Sequence, residues 1–360
     1  MRVLMVNRPD SEALPGGDTV QMRQTARALR DIGVEVEDRI GPLEESAYRA
    51  FDIAHVFNLQ TPVFTHGEVS KAAAAGCAVA VSTIFWDFGA ERLLSESPKW
   101  QRLERVVGRW LTLRLARRRV ALGAVRDRLL IREVLERADV CLPNSQAEIG
   151  HLRRITRELG PVRVVPNAID AARFDPGRSH GLPEWASSRG IPSRGYLLVA
   201  ARIDPDKNQL PFCRALEGSG IPIVLAGLAP DAALREACER TGAICAGQLE
   251  GDELLAAYAH AKVHALPSLR ETPGLASLEA AAMGSAIVST NVGSAREYFG
   301  DDAFYCDPLS ANSMRSAALS AWKSGAPADL SELIRTEYDW SRAAKETLAA
   351  YGYALGERGD

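Results

Sequence analysis

The sequence predicts an α/β protein with two doubly wound parallel-sheet domains in tandem. Its 360 residues are enough for two domains of ordinary size. Short apolar runs alternate with segments of helical periodicity, and such apolar strands are typical of parallel sheets covered on both faces. The alternation occurs twice, and a stretch rich in turn formers separates the two copies, so we expect a linker between Pro166 and Gly195.

The first half of the chain predicts strands joined by helices. Gly16-Gly17 precede a helix expected at Thr19–Ile32, whose apolar residues are compatible with a buried face, and Gly33 ends that helix. The strands expected in this half are Val3–Val6, Val34–Val36, Ile53–Phe57, Ala78–Ile84, Val140–Leu142 and Val162–Val165.

The second half repeats the alternation after the linker. Its expected strands are Tyr196–Ala200, Ile221–Leu225, Ala243–Ala246, Val263–Leu266 and Ala286–Ser289. Its expected helices are Asp231–Thr241, Glu253–Ala259 and Ser277–Met283. On this pattern we expect a first domain of residues 1–175 and a second domain of residues 176–337.

The composition excludes several classes of protein. A formal net charge of −3 argues against the chain-wide basic field of nucleic-acid-binding proteins. Six scattered cysteines without a CxxC pair favour reduced, mostly buried thiols over disulfides or a zinc site. The start lacks the apolar centre of a signal peptide, and the longest uncharged stretch, Ala72–Trp86, is too short to cross a bilayer. We therefore expect a cytoplasmic protein.

The loop after the predicted strand Val263–Leu266 is the most informative part of the sequence. In doubly wound sheets, ligands bind at the carboxyl ends of the strands, where loops meet helix N-termini. This loop turns at Pro273-Gly274 and enters a helix, whose free N–H groups and positive dipole end suit a phosphate. We therefore expect Thr272, Gly274 and Leu275 to form part of an anion site.

Two glutamates flank this turn. Glu279 lies eight residues after Glu271, and a carboxylate there can accept two hydrogen bonds from a diol. The alternative interpretation is that Glu271 is a solvated loop charge and that Glu279 favours the start of the helix through the helix dipole.

The order of these residues is specific. Glu271 is followed by seven residues that include Pro-Gly-Leu, and then by Glu279. A helix of small residues follows and ends at Gly284. This order resembles the E-x7-E signature of the retaining glycosyltransferases with the GT-B fold, in particular glycosyltransferase family 4. The resemblance implies that Glu271 is a catalytic residue that contacts the hydroxyls of a donor sugar, and that Glu279 binds the ribose of the donor.

A second segment extends the resemblance. Ala201–Asn208 is similar to a family segment that follows the first strand of the second domain. In that segment an arginine and, five residues later, a lysine clamp a nucleotide diphosphate, and Arg202 and Lys207 stand at these two positions. Taken alone, two cations in a loop are more often solvent-facing. Ala201 stands where the family usually has Gly. Because two cations can stabilise a diphosphate leaving group, the resemblance implies a metal-independent enzyme.

Further landmarks match the family in order. They are Val165–Asp170, Gly247–Ser268, Ser289–Gly293 and Tyr338–Tyr351. The likeness is strong over about residues 160 to 355 and looser in the first half. It implies two Rossmann-like domains facing a central cleft, with the C-terminal helix, about residues 338–360, packed back on the first domain.

The first half carries weaker signals. Gly16-Gly17 resemble the family's glycine loop, so Gly17 is a candidate donor-binding residue, although simple turn glycines fit equally well. The family's usual His after the fourth strand is not evident. Asp87 stands in that place as a candidate catalytic substitute, and Trp86 before it is either a sugar platform or a packing residue. His55, within a strand, is interpreted as a core histidine.

Between Arg92 and Arg132 the sequence has twelve Lys or Arg and three acidic residues, a local charge of +9 against −12 for the rest of the chain. Five apolar residues recur at helical spacing within it: Trp100, Leu103, Val107, Trp110 and Leu111. One interpretation is a solvated helix with a buried apolar face. The other is a surface that meets anionic lipid headgroups or an acidic, pyrophosphate-linked acceptor.

Together, the residues and the resemblance predict a retaining, hexosyltransferase-type enzyme. It would move a sugar from a UDP- or GDP-sugar to a hydroxyl of a carbohydrate or lipid-linked acceptor, in cell-surface polysaccharide or glycolipid synthesis. The nucleotide sugar is a co-substrate, and no cofactor, metal or nucleic acid is expected. The expected location is cytoplasmic or peripheral at the inner membrane face.

Three alternatives remain at this stage. A nucleotide-sugar epimerase or hydrolase would share the architecture, and a non-catalytic sugar-binding subunit would share the binding residues. A nicotinamide dehydrogenase is disfavoured because no GxGxxG follows Val3–Val6.

Overall fold

The computed structural model describes residues 1–13, 16–87, 89, 93–94, 97–178 and 180–356. The chain divides into two compact units, one of Met1–Ala168 with Trp340–Asp360 and one of Ile169–Asp339. The boundary predicted at residue 175 is therefore wrong. Ile169 and Phe174 are buried in the core of the second unit, and the Ile169 N–H donates to the Tyr338 carbonyl over 2.8 Å.

The first domain is built on a five-stranded parallel sheet of order β2-β1-β3-β4-β5. Its strands are β1 (Arg2–Asn7), β2 (Glu35–Ile40), β3 (Ile53–Phe57), β4 (Ala78–Ser82) and β5 (Val140–Leu142). Its helices are α1 (Gly17–Asp31), α2 (Pro62–Ala74), α3 (Pro98–Val107), α4 (Arg109–Gly123), α5 (Val125–Arg137), α6 (Gln146–Leu152) and a last helix given below. Apart from the half-buried Ala78, the apolar side chains of the three central strands are buried, as expected for a sheet covered on both faces.

Two predicted strands of this domain differ from the structure. The segment Val162–Val165 is not a strand; Val162 alone pairs with Cys141, in an isolated bridge. The N–H groups of Arg163 and Val165 donate to the carbonyls of Cys141 and Pro143, so the segment runs beside β5 without forming a continuous strand. The fourth strand ends at Ser82 rather than Ile84, because Ile84 has a positive φ of 42°.

The second domain is built on a six-stranded parallel sheet of order β11-β10-β9-β6-β7-β8. Its strands are β6 (Leu197–Ala200), β7 (Ile223–Ala226), β8 (Ile244–Gly247), β9 (Val263–Leu266), β10 (Ala286–Thr290) and β11 (Phe304–Cys306). Its helices are α7 (Glu184–Ser187), α8 (Gln209–Ala215), α9 (Ala232–Glu239), α10 (Gly251–His260), α11 (Leu275–Ala282), α12 (Ala295–Phe299), α13 (Ala311–Ser324) and α14 (Leu330–Glu337). The strand order reverses between β6 and β9, the position at which doubly wound sheets bind ligands.

The C-terminal helix, α15 (Trp340–Ala354), belongs to the first domain and packs against α1, β4 and β5. Its Tyr351 hydroxyl lies 2.7 Å from Nδ1 of His55, and the Ser82 hydroxyl lies 2.9 Å from Nε2 of the same ring. Burial lowers the pKa of His55 to about 3, so the imidazole is neutral. The interpretation of His55 as a satisfied core histidine is confirmed.

Two general expectations can be checked against the described residues. All six cysteines are free and five of them are buried, which agrees with the prediction of mostly buried thiols. None of the helices in the described part of the chain combines the length and the apolar character that a bilayer crossing requires.

Candidate functional site

The loops that follow β6 and β9 are tied to each other at the reversal point of the second sheet. Leu269 N–H donates to the Asp206 carbonyl over 2.9 Å. The buried side chain of Asn208 donates from Nδ2 to the carbonyls of Pro267, at 3.0 Å, and Pro308, at 2.8 Å. Asn208 has a left-handed backbone, with φ of 62°, a conformation that Asn tolerates better than most residues. These bonds fix the two loops relative to each other.

The structure brings together two of the predicted residues, Lys207 and Glu271. Lys207 Nζ lies 3.0 Å from Glu271 Oε2, and the buried Ser268 hydroxyl donates to the same oxygen over 2.8 Å. The Glu271 side chain is 10% exposed and the Lys207 side chain 30% exposed. The carboxylate is thus held in one orientation while the Lys207 side chain stays partly exposed.

Arg202, the second predicted cation, is oriented by an aspartate that the sequence reasoning missed. Its Nε and Nη2 atoms lie 2.7 Å and 2.6 Å from Asp204 Oδ2. The other carboxylate oxygen of Asp204 accepts from the backbone N–H groups of Asp206 and Lys207. Because the guanidinium group has five N–H donors, others remain for a ligand. The signal for Asp204 was its place before Pro205, which is typical of a helix cap.

Two glycines allow the backbone around Glu271 to pack as it does. Gly293 has φ of 138°, and a Cβ there would lie 1.8 Å from the Glu271 carbonyl oxygen. The Glu271 N–H donates to the Val292 carbonyl over 3.0 Å, and the Ser294 N–H donates to the Glu271 carbonyl over 3.1 Å. Gly274 has φ of 88°, and a Cβ there would lie 2.9 Å from Glu271 Cγ. Larger residues would displace the carboxylate.

The predicted anion site lies at the start of α11. The helix begins at Leu275, and the first bonds within it run from the N–H groups of Ser277 and Leu278 to the Gly274 carbonyl. The first N–H groups of a helix have no partner within it, so those of Leu275 and Ala276 suit an anion. Thr272 is half-buried in the turn that leads to this helix. The three residues predicted for the anion site, Thr272, Gly274 and Leu275, are therefore neighbours along one short segment.

Glu279, the second glutamate of the signature, is half-buried on α11. Burial raises its pKa to about 7, although the Tyr258 hydroxyl, which donates to Oε2 over 2.9 Å, and the charge of Arg173 both lower it. The carboxyl group therefore titrates near neutral pH. Tyr258 was not predicted as a site residue; no motif signals it, because it comes from α10 and meets Glu279 only in the fold.

Gly17, a predicted donor-binding residue, is the exposed first residue of α1. A Cβ added there would meet nothing within 4 Å. The neighbouring Asp18 is buried, 2.7 Å from Arg8 Nε and 2.9 Å from Asn58 Nδ2. Burial alone would raise the pKa of Asp18, but the hydrogen bonds from Arg8 and Asn58 hold it below its usual value. The sequence reasoning missed this network, which joins the loops after β1 and β3.

Asp87, the second candidate catalytic residue, follows β4 and is partly exposed. Its Oδ2 lies 3.3 Å from Arg128 Nη1, and its backbone N–H donates to Nδ1 of His151 over 3.3 Å. Trp86 is buried and packs against the tilted ring of His151 with ring centroids 4.0 Å apart, which favours its interpretation as a packing residue. Burial, helped by Arg154 and opposed by Asp87, lowers the pKa of His151 to about 4.

A cavity of about 900 Å³ in the second domain lies beside the end of β8 and the first turns of α10. Its lining includes Trp185, Gln248 and Leu249, and none of the predicted site residues. Across the residues that the structure describes, no group of three or more His, Cys, Asp or Glu side chains is arranged to hold a metal ion.

Comparison with known proteins agrees with this picture. Residues 194–324, which lie within the second domain, match the family described as Glycosyl transferases group 1, and they include Arg202, Lys207, Glu271 and Glu279. D-inositol 3-phosphate glycosyltransferase of Salinispora tropica is 26% identical over 260 residues, which are 62% of this chain and 53% of that protein. The chain spans about half the length of the curated relatives it matches.

The fold is shared with solved structures over nearly the whole chain. Sucrose-phosphate synthase from Thermosynechococcus elongatus superimposes with a TM-score of 0.68 at 15% identity, covering 99% of this chain and 97% of the other. Anabaena HepE, solved in complex with UDP and glucose, gives a TM-score of 0.63 at 14% identity, covering 97% of this chain and 94% of the other. The predicted fold class of two Rossmann-like parallel-sheet domains is thus confirmed.

Proposed function

We propose that this protein is a glycosyltransferase that moves a hexose from a nucleotide-diphosphate donor to a hydroxyl acceptor, with retention at the anomeric carbon. The observation that carries the proposal is the arrangement of Lys207, Ser268 and Glu271 at the reversal point of the second sheet, within the segment that matches group 1 glycosyl transferases. A carboxylate held beside a cation at that position suits a sugar attached to a diphosphate.

The donor would lie across the second domain. Its diphosphate would bind Arg202, Lys207 and the amides of Gly274 and Leu275, because charge-assisted bonds and a helix N-terminus both favour an anion. Its ribose diol would bind the carboxylate of Glu279. UDP is the favoured nucleotide, since the structural neighbour HepE was solved with UDP and glucose.

The chemistry would depend on charge that develops as the glycosidic bond breaks. The sugar ring becomes cationic, and the Glu271 carboxylate, fixed by Lys207 and Ser268, would stabilise it. The leaving diphosphate gains negative charge, which Arg202 and Lys207 would neutralise without a metal ion. The proposed acceptor is a carbohydrate or lipid-linked hydroxyl of polysaccharide or glycolipid synthesis. Roles for Gly17 and Asp87 stay predictions of the family resemblance.

The test is to follow the labelled sugar of UDP- and GDP-hexoses in the presence of hydroxyl acceptors. Transfer to an acceptor with retained configuration supports the proposal. Label released as free sugar, or recovered as an isomeric nucleotide sugar, would instead establish a hydrolase or an epimerase. Binding without turnover on any acceptor would point to a sugar-binding subunit.

Metal independence has its own test. Activity should survive a strong chelator, because the proposed site neutralises the diphosphate with side chains alone. Loss of activity in EDTA with recovery in manganese would contradict it. Lys207→Ala should lower activity, whereas Lys262→Ala should not, since the Lys262 ammonium group packs over the Trp322 ring at 4.9 Å, away from the proposed donor contacts.

A further inference from the structure

Three consecutive helices of the first domain, α3, α4 and α5, combine positive charge with exposed apolar side chains. The segment Arg92–Arg132 carries a charge of +9, although the chain as a whole is acidic. Arg92 itself lies outside the described residues. Of the sixteen large hydrophobic residues that are exposed in the described part of the chain, seven lie between residues 106 and 129. Monomeric proteins rarely expose such a concentration without a use for it.

The helix α4 has its large apolar side chains on the outside. Thr112 and Ala116, four residues apart and therefore on one face, are fully buried. Trp110 is 72% exposed, and Leu111 is 39% exposed. Small residues thus form the inner face. Val107 and Trp110, which a buried apolar face would include, are exposed, whereas Trp100 and Leu103 of the same repeat are half-buried.

The neighbouring helices extend the apolar surface. Val106 at the end of α3 is 82% exposed. Val125 and Leu129, one turn apart on α5, are 51% and 54% exposed. Branched and aromatic side chains that project into solvent from three helices would lower their free energy by entering an apolar phase.

Cations are interleaved with these side chains. Arg114, Arg117 and Arg118 are exposed on α4. Arg114 and Arg118 follow Trp110 at intervals of four residues and so lie on the same side of the helix. The Arg114 guanidinium group lies 5.5 Å from the centre of the Trp110 ring. Apolar side chains with arginines between them are the composition of a helix that lies in a membrane interface.

We infer that the exposed side chains of residues 99–132, hereafter the basic-apolar surface, dock this protein on an anionic lipid bilayer. The arginines would approach the headgroups, and Trp110, Leu111 and Val106 would enter the boundary with the acyl chains. A second copy of the chain is disfavoured, because two surfaces of the same positive charge repel each other. A nucleic acid would satisfy the arginines and leave the aliphatic side chains in water.

The first experiment is sedimentation of the full chain with vesicles. Vesicles of phosphatidylcholine alone should leave the protein in solution, and vesicles with an equal share of phosphatidylglycerol should pellet it. Added salt should release it, because the screening length shortens from about 10 Å at 0.1 M to about 3 Å at 1 M. Neither prediction depends on glycosyl transfer, so a failure here is distinguishable from a failure of the proposed function.

Charge reversal separates the basic-apolar surface from general positive charge. The triple variant Arg114→Glu, Arg117→Glu, Arg118→Glu should bind anionic vesicles at least about tenfold more weakly. The matched control Arg214→Glu, Arg235→Glu, Arg240→Glu makes the same change in net charge at exposed sites of the second domain and should bind as the parent does. Circular dichroism and nucleotide binding of both variants should match the parent, because all six side chains are exposed.

Insertion has a separate optical signature. Trp110 is the tryptophan that the structure exposes, whereas Trp100, Trp185 and Trp322 are half-buried and Trp86 and Trp340 are buried. Its emission should shift to the blue on anionic vesicles and become less accessible to acrylamide. Trp110→Ser should remove most of that shift and weaken binding, whereas Tyr353→Ser, at a 60% exposed aromatic of the same domain, should leave the shift and the binding unchanged.

Several outcomes would overturn the inference. They are no binding to either vesicle, equal binding to both, or an equal loss in the control triple variant. Retention on a homopolymeric RNA without vesicle binding would assign the surface to a nucleic acid. A dimer in light scattering that the Arg114, Arg117 and Arg118 reversals dissociate would assign it to a second copy of the chain.

Discussion

The two domains use the same position of their sheets differently. The strand order reverses between β1 and β3 in the first domain and between β6 and β9 in the second. In the second domain the loops at this point hold Lys207 and Glu271 3.0 Å apart, with the Lys207 side chain partly exposed. In the first domain they hold Asp18 and Asn58 in a buried network. The second arrangement can meet a ligand, whereas the first mainly fixes its own backbone.

This contrast predicts that substitutions in the second domain change binding and turnover, whereas equivalent substitutions in the first domain change stability. The largest effect is expected for Glu271→Gln. The amide keeps the bond from Ser268 but loses the charge that would stabilise a cationic sugar ring, so kcat should fall by about a hundredfold. Affinity for free UDP should stay near that of the parent. Steady-state kinetics and calorimetry measure the two quantities.

The matched control for that prediction is Glu239→Gln, which changes an exposed carboxylate at the end of α9 and should have no effect on turnover. If Glu271→Gln loses UDP affinity and keeps kcat, the assignment of Glu271 to the sugar is wrong, and the contrast between the domains loses its main support.

The next largest effect is expected for the two cations. Arg202→Ala and Lys207→Ala should each weaken binding of a nucleoside diphosphate by about 1.5 to 3 kcal/mol, the range for a lost charge-assisted hydrogen bond. Lys207→Ala should also lower kcat, because Glu271 loses its neighbouring positive charge. If affinity for the nucleoside diphosphate is unchanged in both variants, Arg202 and Lys207 are solvent-facing loop cations and do not bind the donor.

Glu279 gives a smaller, pH-dependent effect. Burial raises its pKa to about 7, so below that pH the carboxyl group is protonated and accepts fewer bonds from the ribose diol. UDP affinity should therefore rise by up to about tenfold between pH 6 and pH 8, and Glu279→Gln should flatten that dependence. Titration calorimetry across the pH range checks this; a variant that keeps the parent's slope would exclude Glu279 as its source.

The same raised pKa has a consequence for stability. The folded state holds the proton of Glu279 more tightly than the unfolded chain, whose carboxyl group titrates near its usual value. The free energy of unfolding should therefore fall as pH rises from the unfolded pKa to about 7. The Glu279→Gln variant can still accept a hydrogen bond from Tyr258 but cannot titrate. In denaturant titrations its free energy of unfolding should therefore fall less over this pH range than that of the parent.

The second domain was the more predictable of the two for a physical reason. Glu271, Gly274 and Glu279 lie on one continuous segment, and a strand followed by a turn and a helix start places them together by local geometry alone. Tyr258, which orients Glu279, was missed because a hydrogen-bond partner brought in by another helix leaves no pattern at fixed spacing. Asp204, which orients Arg202 from two residues away, has a local signal in its place before Pro205, but that signal indicates a helix cap and not a partner for Arg202.

The first domain was predicted less well because its side-chain contacts are non-local. Asn58 lies forty residues from Asp18, and His151 lies sixty-four from Asp87. The helix α4 shows a different limit. A helical repeat of apolar residues indicates a helix but not which face is buried, and here Thr112 and Ala116 occupy the inner face while Trp110 does not.

Another prediction tests the structural role of the first domain's network. Asp18→Asn should lower the free energy of unfolding by about 1 to 3 kcal/mol, because the partly buried Arg8 loses a charged acceptor. The pKa of Asp18 is depressed in the fold, so its contribution is present above the unfolded pKa and is lost as pH falls. Asp31→Asn, at an exposed helix end, is the control. UDP affinity should not change in either variant.

The smallest effect, and the one that most sharply separates the two domains, is expected for Gly17→Ala. The new methyl group meets nothing within 4 Å, and alanine loses less backbone entropy on folding than glycine, so the free energy of unfolding should rise by about 0.4 to 1 kcal/mol. Gly67→Ala, on α2 of the same domain and also in open space, should give the same gain. If Gly17 lets a diphosphate approach the backbone, only Gly17→Ala will also lower kcat/KM. Equal activity in the two variants would show that Gly17 only starts a helix, and that the second domain alone binds the donor.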